Sequence, residues 1–356
     1  MALWVDKYRP TSLDKLVLHK GLGAHLRKLV CEGDCPHMLF YGPSGAGKKT
    51  LVVGVLRELF GAGAEKLKVE AKEWRIDAGG RKVDVELTLL QSNHHIEMNP
   101  SDAGNKDRYV VQEVIKEMAK AQQVDAGGGR PYKVLVLNEV DRLSREAQHS
   151  LRRTMEKYSG SCRLLLVCNS ASKVIDAVRS RCVNVRVPAP SEEQIRDELL
   201  PFVARKEGIV LPPDMAARVA AASERNMRRA VLSLEACKAV QYPFAEGQAV
   251  AAADWQLYVQ QIASEVLAEQ TPKRLYQVRG RLYELLINCI PPELVLRQLV
   301  QELMKKLDDE VKHEVAHWAA FYEHRLQCGQ KPIFHLEAFV ARFMSIYKKF
   351  MLAMFG

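Results

Sequence analysis

A glycine-rich loop after the first predicted strand carries the strongest chemical signal in the sequence. Its nine residues are Gly42, Pro43, Ser44, Gly45, Ala46, Gly47, Lys48, Lys49 and Thr50. Glycines allow successive backbone N–H groups to converge on phosphate oxygens, and the predicted helix over 51–60 adds the partial positive charge of its N-terminus. Lys48 occupies the position from which a lysine reaches the β- and γ-phosphates of a nucleotide. The loop therefore predicts a binding site for ATP or ADP.

The residues that would hold Mg²⁺ beside those phosphates are altered at two positions. A serine or threonine hydroxyl normally binds the metal at the end of such a loop, but Lys49 stands there, and Thr50 lies about 100° further around the helix. The apolar run 133–137 is followed by Asn138 and Glu139, whereas ATPases of this class have an aspartate before the water-polarising glutamate. A neutral amide is a weaker Mg²⁺ ligand than a carboxylate. We predict nucleotide binding with little or no hydrolysis and no metal site. The alternative is an active ATPase that uses Thr50 and water-mediated metal contacts.

Short apolar runs alternate with helical patterns from Trp4 to about Pro188. The runs cover 37–41, 133–137, 163–167 and 183–187. Apolar strands separated by helices are typical of a parallel sheet that is covered on both faces. The stretch 75–97 departs from this pattern, because a Gly79-Gly80 turn lies between polar and β-branched residues, and it predicts a hairpin insertion. The first predicted domain, 1–188, is therefore α/β with a parallel sheet.

The remainder of the chain is predicted to be helical. Ser191 and Gln194 have the spacing of a capping box at the start of a segment that ends near Val240. A linker over 241–247 follows, and leucines spaced by three and four residues then mark further amphipathic helices. We divide this part into a helical domain at 189–243 and a second helical domain at 244–356.

The composition restricts the class of protein and its setting. The chain has 356 residues, of which 47% are hydrophobic and 27% charged, and its formal net charge is +9. These values are typical of a folded multi-domain protein with an anionic partner. The eight cysteines include no CxxC pair, so neither a zinc site nor a redox centre is predicted. No apolar run reaches the roughly 18 residues of a membrane span, and we expect a reducing, intracellular, non-membrane setting.

Several longer motifs make the sequence resemble the small subunits of replication factor C over essentially its full length. They are Trp4-Val5-Asp6-Lys7-Tyr8-Arg9-Pro10, the loop at 42–50, Asn138-Glu139-Val140-Asp141, the stretch 151–157 (LRRTMEK), Cys168-Asn169-Ser170 and Ser180-Arg181-Cys182. The two altered metal motifs resemble the subunit type of that family with degenerate ATPase motifs. The resemblance implies an α/β AAA+ P-loop domain, followed by an α-helical lid and an α-helical C-terminal collar domain.

The resemblance assigns roles to further residues of the nucleotide site. The residues that it places on the adenine side are Val5, Tyr8, Arg9 and Pro10. Asn169 matches the sensor 1 residue that touches the γ-phosphate, and Arg228 in the motif 227–230 matches sensor 2. The family usually has a glycine where this chain has Arg225.

Arg181 matches an arginine finger that acts on the nucleotide of the adjoining subunit. A guanidinium is always charged and binds phosphate oxygens in a bidentate manner. The resemblance therefore implies that this chain supports catalysis in a neighbouring site while its own site, including the degenerate Glu139, stays idle.

The resemblance also implies the partners and the process. These are four other replication factor C-type subunits in a hetero-pentamer, the sliding clamp PCNA, and primer–template DNA, in the nucleus, during DNA replication and repair. Asn105, Lys106 and Arg108 are the candidate DNA contacts, because they lie beside a capped helix start that can meet phosphates. Two alternatives remain, a self-contained AAA+ DNA motor ATPase and a purely structural scaffold subunit.

Overall fold

The computed structural model describes residues 2–31, 35–77, 82–120, 132–329 and 331–355. Within them the chain forms two compact units, residues 1–250 and 251–356. The division into a domain at 1–188, one at 189–243 and one at 244–356 stays a prediction.

A seven-stranded sheet is the framework of the first unit. Its strands are β1 (Met38–Tyr41), β2 (Lys68–Asp77), β3 (Lys82–Gln91), β4 (His95–Met98), β5 (Lys133–Leu137), β6 (Cys162–Cys168) and β7 (Val183–Arg186). Their spatial order is β2-β3-β4-β5-β6-β1-β7. The strands β4, β5, β6, β1 and β7 are parallel to one another, whereas β3 is antiparallel to both β2 and β4. The predicted α/β architecture with a parallel sheet is confirmed.

Helices cover the sheet and continue to the end of the first unit. They are α1 (Trp4–Lys7), α2 (Lys20–Cys31), α3 (Lys48–Phe60), α4 (Asp107–Tyr109), α5 (Ile115–Lys120), α6 (Arg145–Lys157), α7 (Asp176–Arg179), α8 (Glu192–Gln194), α9 (Leu200–Glu207), α10 (Pro213–Ala222) and α11 (Met227–Val240). A π-helical turn at Val110–Val114 joins α4 to α5, and another at Ile195–Leu199 joins α8 to α9. The capping box is present, because the Ser191 hydroxyl accepts from the Gln194 amide and the Gln194 side chain accepts from the Ser191 amide.

Alternate side chains of the central strands enter two different cores, which explains why these strands are apolar at nearly every position. Leu135 and Leu137 pack with α6 on one face of the sheet. Val134 and Val136 pack with α2 and α3 on the other face. Burial on both faces fixes the strand ends, and the polar residues that follow them are therefore held in defined positions.

All regular secondary structure in the described part of the second unit is helical. Its helices are α12 (Asp254–Ala268), α13 (Pro272–Ile287), α14 (Pro292–Met304), α15 (Asp309–Cys328) and α16 (Pro332–Phe355). The predicted leucine stripes form its core, with Leu282 on α13 and Leu299 on α14 each about 1% exposed. Among the described residues, no helix combines the length and apolar character needed to cross a membrane.

The stretch 75–97 differs from the prediction in two respects. β2 and β3 form the expected antiparallel pair, although the Gly79-Gly80 turn itself lies outside the described residues. The pair is continuous with the main sheet, because β3 bonds to β4. The end of the stretch is a separate, fully buried strand, β4, parallel to β5. A strand of four residues gives too short a pattern to be distinguished from the end of a hairpin.

Candidate nucleotide site

The glycine-rich loop connects β1 to α3. The start of α11 packs against this loop. Gly45 has a φ of +74°, and a Cβ built on it would lie 1.8 Å from the Asn226 Oδ1 atom. The Met227 amide also donates to the Gly45 carbonyl at 3.2 Å. Glycine is required here both by the left-handed backbone and by this close approach. The start of α11 is thereby fixed against the loop.

Lys48 lies at the first turn of α3 with only 8% of its surface exposed. Its ammonium group donates to the carbonyls of Gly42 and Pro43 at 2.6 and 2.8 Å. Burial lowers the pKa of Lys48, with a smaller contribution in the same direction from Arg228. A partly desolvated ammonium group has more to gain from a nearby phosphate than a hydrated one.

The predicted sensor residue Asn169 is directly connected to this lysine. Its Oδ1 atom accepts from Lys48 Nζ at 2.9 Å. The backbone amides of Asn169 and Ser170 both donate to the Asp141 Oδ2 atom at 3.1 Å. Asp141 therefore sets the position of the Asn169 backbone at the end of β6, close to the phosphate loop.

At the two positions where the metal ligands are replaced, Lys49 and Asn138 contact a buried carboxylate, Glu97. The Lys49 Nζ atom lies 2.6 Å from Oε1 of Glu97 on β4. The Asn138 side-chain amide donates to the same Glu97 oxygen at 2.8 Å. This donor set does not fit Mg²⁺, because an ammonium group stands where a hydroxyl ligand is needed and occupies the nearby carboxylate. No cluster of three metal-binding side chains occurs in the described part of the chain.

Glu139 follows Asn138 and has an unusual backbone. Its φ of +53° is in the left-handed region, which is uncommon for residues other than glycine and is often found at functional sites. Its carboxylate pairs with the Arg142 guanidinium at 3.1 Å. The arrangement directs the charge of Glu139 toward an arginine of its own chain.

A cavity of about 410 Å³ lies over the loop and combines most of the predicted nucleotide contacts. The predicted residues that line it are Val5, Tyr8, Arg9, Pro10, Ser44, Gly45, Gly47, Lys48, Lys49, Thr50, Glu139, Asn169 and Arg228. Gly42, Pro43 and Ala46 support the loop without lining the cavity. Sequence reasoning missed an apolar wall made by Leu199, Phe202, Val203 and Val231. Their helical spacing resembles that of ordinary core residues, so the sequence offered no separate signal.

Glu207 on α9 and Glu235 on α11 bind the N-terminal motif, residues 4–10. Tyr8 donates its hydroxyl to Glu207, and Lys7 forms an ion pair with the same carboxylate at 2.7 Å. The Trp4 amide donates to Glu235 Oε2 at 3.1 Å. These contacts hold the predicted adenine side of the cavity in place.

His19 also lines the cavity, and its Nε2 atom is buried without a hydrogen-bond partner. Burial lowers the pKa of His19 and favours the neutral imidazole. Buried polar atoms are normally satisfied, and a nucleotide base offers both donors and acceptors. The polar and apolar groups that line the cavity therefore suit a nucleotide.

Arg225 stands where the family that this sequence resembles usually has glycine, and its backbone and side-chain contacts explain how an arginine is accommodated there. Arg225 has a φ of +63°, a conformation in which glycine is favoured. Its guanidinium donates to the backbone carbonyls of Pro190 and Ala189 at 2.9 and 3.2 Å. The side-chain contacts offset the backbone strain that an arginine incurs there.

Arg181 lies outside the cavity, in the turn between α7 and β7. Its guanidinium pairs with Glu156 at 2.6 Å and donates to the Ala177 carbonyl at 2.8 Å. The side chain is 37% exposed. Arg181 therefore contacts Glu156 and Ala177 and does not line the chain's own nucleotide cavity.

The candidate DNA contacts lie before and within α4. Lys106 donates to the Asp84 carbonyl at 2.8 Å, and Arg108 pairs with Glu146 at 2.6 Å. The side chain of Asn105 lies outside the described residues. Both described cations are exposed, and their role stays a prediction.

Comparison with known proteins places the chain among clamp-loader subunits. Three family models match, described as "Replication factor C subunit 3, C-terminal domain" over residues 255–351, "RCF1/5-like, AAA+ ATPase lid domain" over 198–239, and "DNA polymerase III, delta subunit" over 20–191. Replication factor C subunit 5 of Oryza sativa is 62% identical, covering 99% of this chain and 100% of its own. Subunit 3 of Arabidopsis thaliana is 61% identical over the same shares, and subunit 3 of Homo sapiens is 54% identical over 99% and 98%.

Among solved structures, a RuvB protein of Thermotoga maritima is similar at a TM-score of 0.47 and 12% identity. The match covers 77% of this chain and 85% of that one. A likeness of this degree has no bearing on function.

Proposed function

This chain belongs to the replication factor C subunit 3/subunit 5 family, and from that premise we propose that it works as one small subunit of a DNA clamp loader. In this role it binds ATP or ADP with little or no hydrolysis and donates Arg181 to the nucleotide of an adjoining subunit. Its partners are four other replication factor C-type subunits, the sliding clamp PCNA and primer–template DNA, and its location is the nucleus.

The observation that carries the proposal is the contrast between the two halves of the site. Lys48 and Asn169 are connected and line the cavity with the loop glycines, which supports retention of phosphates. Lys49 and Asn138 both contact Glu97 in place of a metal, and Glu139 pairs with Arg142. A site with these contacts can bind and orient a nucleotide, but its own side chains supply no metal-bound water for attack.

Arg181 distinguishes this proposal from the two alternatives. A self-contained motor built from identical copies would repeat the altered metal site in every subunit. A structural scaffold would need no arginine outside its own cavity. The match of Ser180-Arg181-Cys182 to the arginine-finger motif, at a partly exposed position that does not line the chain's own cavity, supports a subunit that acts on a neighbour.

The purified chain is expected to retain nucleotide while showing negligible ATPase activity in Mg²⁺. The physical reason is that Lys49 and Asn138 remove two metal ligands from one site. Nucleotide extraction followed by chromatography measures retention, and phosphate release measures turnover. Rapid turnover by the monomer would contradict the proposal.

Replacing Lys106 and Arg108 together by alanine is expected to weaken DNA binding in a salt-dependent manner. Each lost phosphate contact reduces the slope of log affinity against log salt by about 1, so the pair reduces it by about 2. DNA titrations of the assembled complex at several salt concentrations measure the slope. Lys273→Ala in the helical second unit is the control, and an unchanged slope would remove both residues from the DNA surface.

A further inference from the structure

Glu97 is a buried acidic residue outside the motifs identified in the sequence. It lies on β4 with 7% of its surface exposed, and in the parallel register it is opposite Val136 of β5. The chain after β5 continues directly to Asn138, whose backbone amide donates to the Met98 carbonyl at 3.0 Å. The sheet therefore brings Glu97 to the edge where the phosphate loop ends.

The side chains at positions 49, 97 and 138 are complementary in charge and in hydrogen bonding. The Glu97 Oε1 atom accepts from Asn138 Nδ2 at 2.8 Å and lies 2.6 Å from Lys49 Nζ. An aspartate at 138 would place a second carboxylate against Glu97, and like charges at this distance repel strongly. A threonine at 49 would leave the buried Glu97 carboxylate without its counter-charge. The two departures from the ATPase pattern are therefore parts of one arrangement.

His95, two residues before Glu97, does not supply that counter-charge near neutral pH. Burial lowers the pKa of His95 to about 4, and its Nδ1 atom bonds to the Ser92 hydroxyl at 2.7 Å. The imidazole is therefore neutral at pH 7. The positive charge that balances Glu97 in this contact is the Lys49 ammonium group.

We propose that the Lys49–Glu97 ion pair replaces the divalent cation of this site, so that the chain binds its nucleotide equally well with and without Mg²⁺. Lys49 neutralises the Glu97 carboxylate, which a cation would otherwise share, so no divalent ion is needed there to offset the charge of Glu97. The inference rests on the proposed nucleotide-binding function and specifies its metal dependence.

The unmodified full-length chain provides the first test. After retained nucleotide has been removed, isothermal titration calorimetry with ATP and with ADP is expected to give the same Kd in EDTA as in Mg²⁺. An affinity that falls by about tenfold or more in EDTA, as when a charged ligand loses its metal partner, would overturn this inference while leaving the proposed function intact. Absence of binding in both buffers would contradict the proposed function and, with it, the inference.

Two variants test the part played by Glu97. Lys49→Ser leaves the buried Glu97 carboxylate without its counter-charge at the end of the phosphate loop, so affinity in EDTA is expected to fall by about tenfold or more. Mg²⁺ is expected to restore it, because Glu97 and the new hydroxyl are then available as oxygen ligands.

The double variant Lys49→Ser with Glu97→Gln removes both charges and protects the test against a loss of folding. Its Kd is expected to be close to that of the unmodified chain and independent of Mg²⁺. If the double variant in EDTA binds as weakly as Lys49→Ser alone, Lys49 acts directly on the nucleotide, and the role of Glu97 is overturned.

Discussion

Arg181→Ala is expected to lower ATP hydrolysis at the adjoining subunit's site by about 10³, the lower end of the range for an arginine finger supplied from another protein chain. The effect is largest at one site of the assembled complex, so the measurement uses complexes in which only the adjoining subunit retains a competent ATP site. Phosphate release is measured under single-turnover conditions. The physical reason is the loss of a guanidinium that stabilises charge on the transferring phosphoryl group.

Arg179→Ala is the matched control for this experiment. Arg179 lies two residues away at the end of α7 and pairs with Asp176 at 3.0 Å. Replacing it removes the same charge from the same surface without removing the proposed finger. A large loss with Arg179→Ala and none with Arg181→Ala would transfer the role to Arg179.

Lys48→Ala is expected to weaken nucleotide binding to this chain by about 100-fold, because charge-assisted hydrogen bonds of about 1.5–3 kcal/mol are lost. The lysine also supports the loop through the Gly42 and Pro43 carbonyls, so the loop itself loses contacts. Turnover by the assembled complex is nevertheless expected to remain unchanged, since this site contributes little hydrolysis. Calorimetry on the chain and phosphate release by the complex separate the two effects.

Lys273→Ala serves as the control for Lys48, because it removes an exposed lysine from the second unit. The opposite result in Lys48→Ala and Arg181→Ala would reverse the roles assigned to these two residues. Turnover that disappears with Lys48→Ala but survives Arg181→Ala would identify this chain as a hydrolysing subunit.

The residues whose roles depend on local sequence were predictable. Lys48 lies at the start of α3 in the loop order that phosphate binding demands, and Asn138 follows a buried strand as expected. Both assignments need only a strand, a turn and a helix in sequence. The same holds for Ser191, whose cap involves a residue three positions away.

Glu97 could not be found in the same way. Glu97 is 48 residues from Lys49 and 41 residues from Asn138 along the chain, and the three meet because β4 lies beside β5 in the sheet. The sequence predicts a hairpin insertion over 75–97, and β4 is too short for its pattern to show a parallel strand. Strand order depends on packing over the whole sheet, which no local pattern records.

The sequence alone determined that the chain has a phosphate loop, that two metal ligands are replaced and that the motifs resemble replication factor C small subunits. These conclusions follow from residue types at short spacing. Only the tertiary structure decided what stands in place of the metal ligands, which helices enclose the cavity and that Arg181 lies outside it. The physical reason is that charge pairing and burial act through space, between residues that the fold brings together from distant parts of the chain.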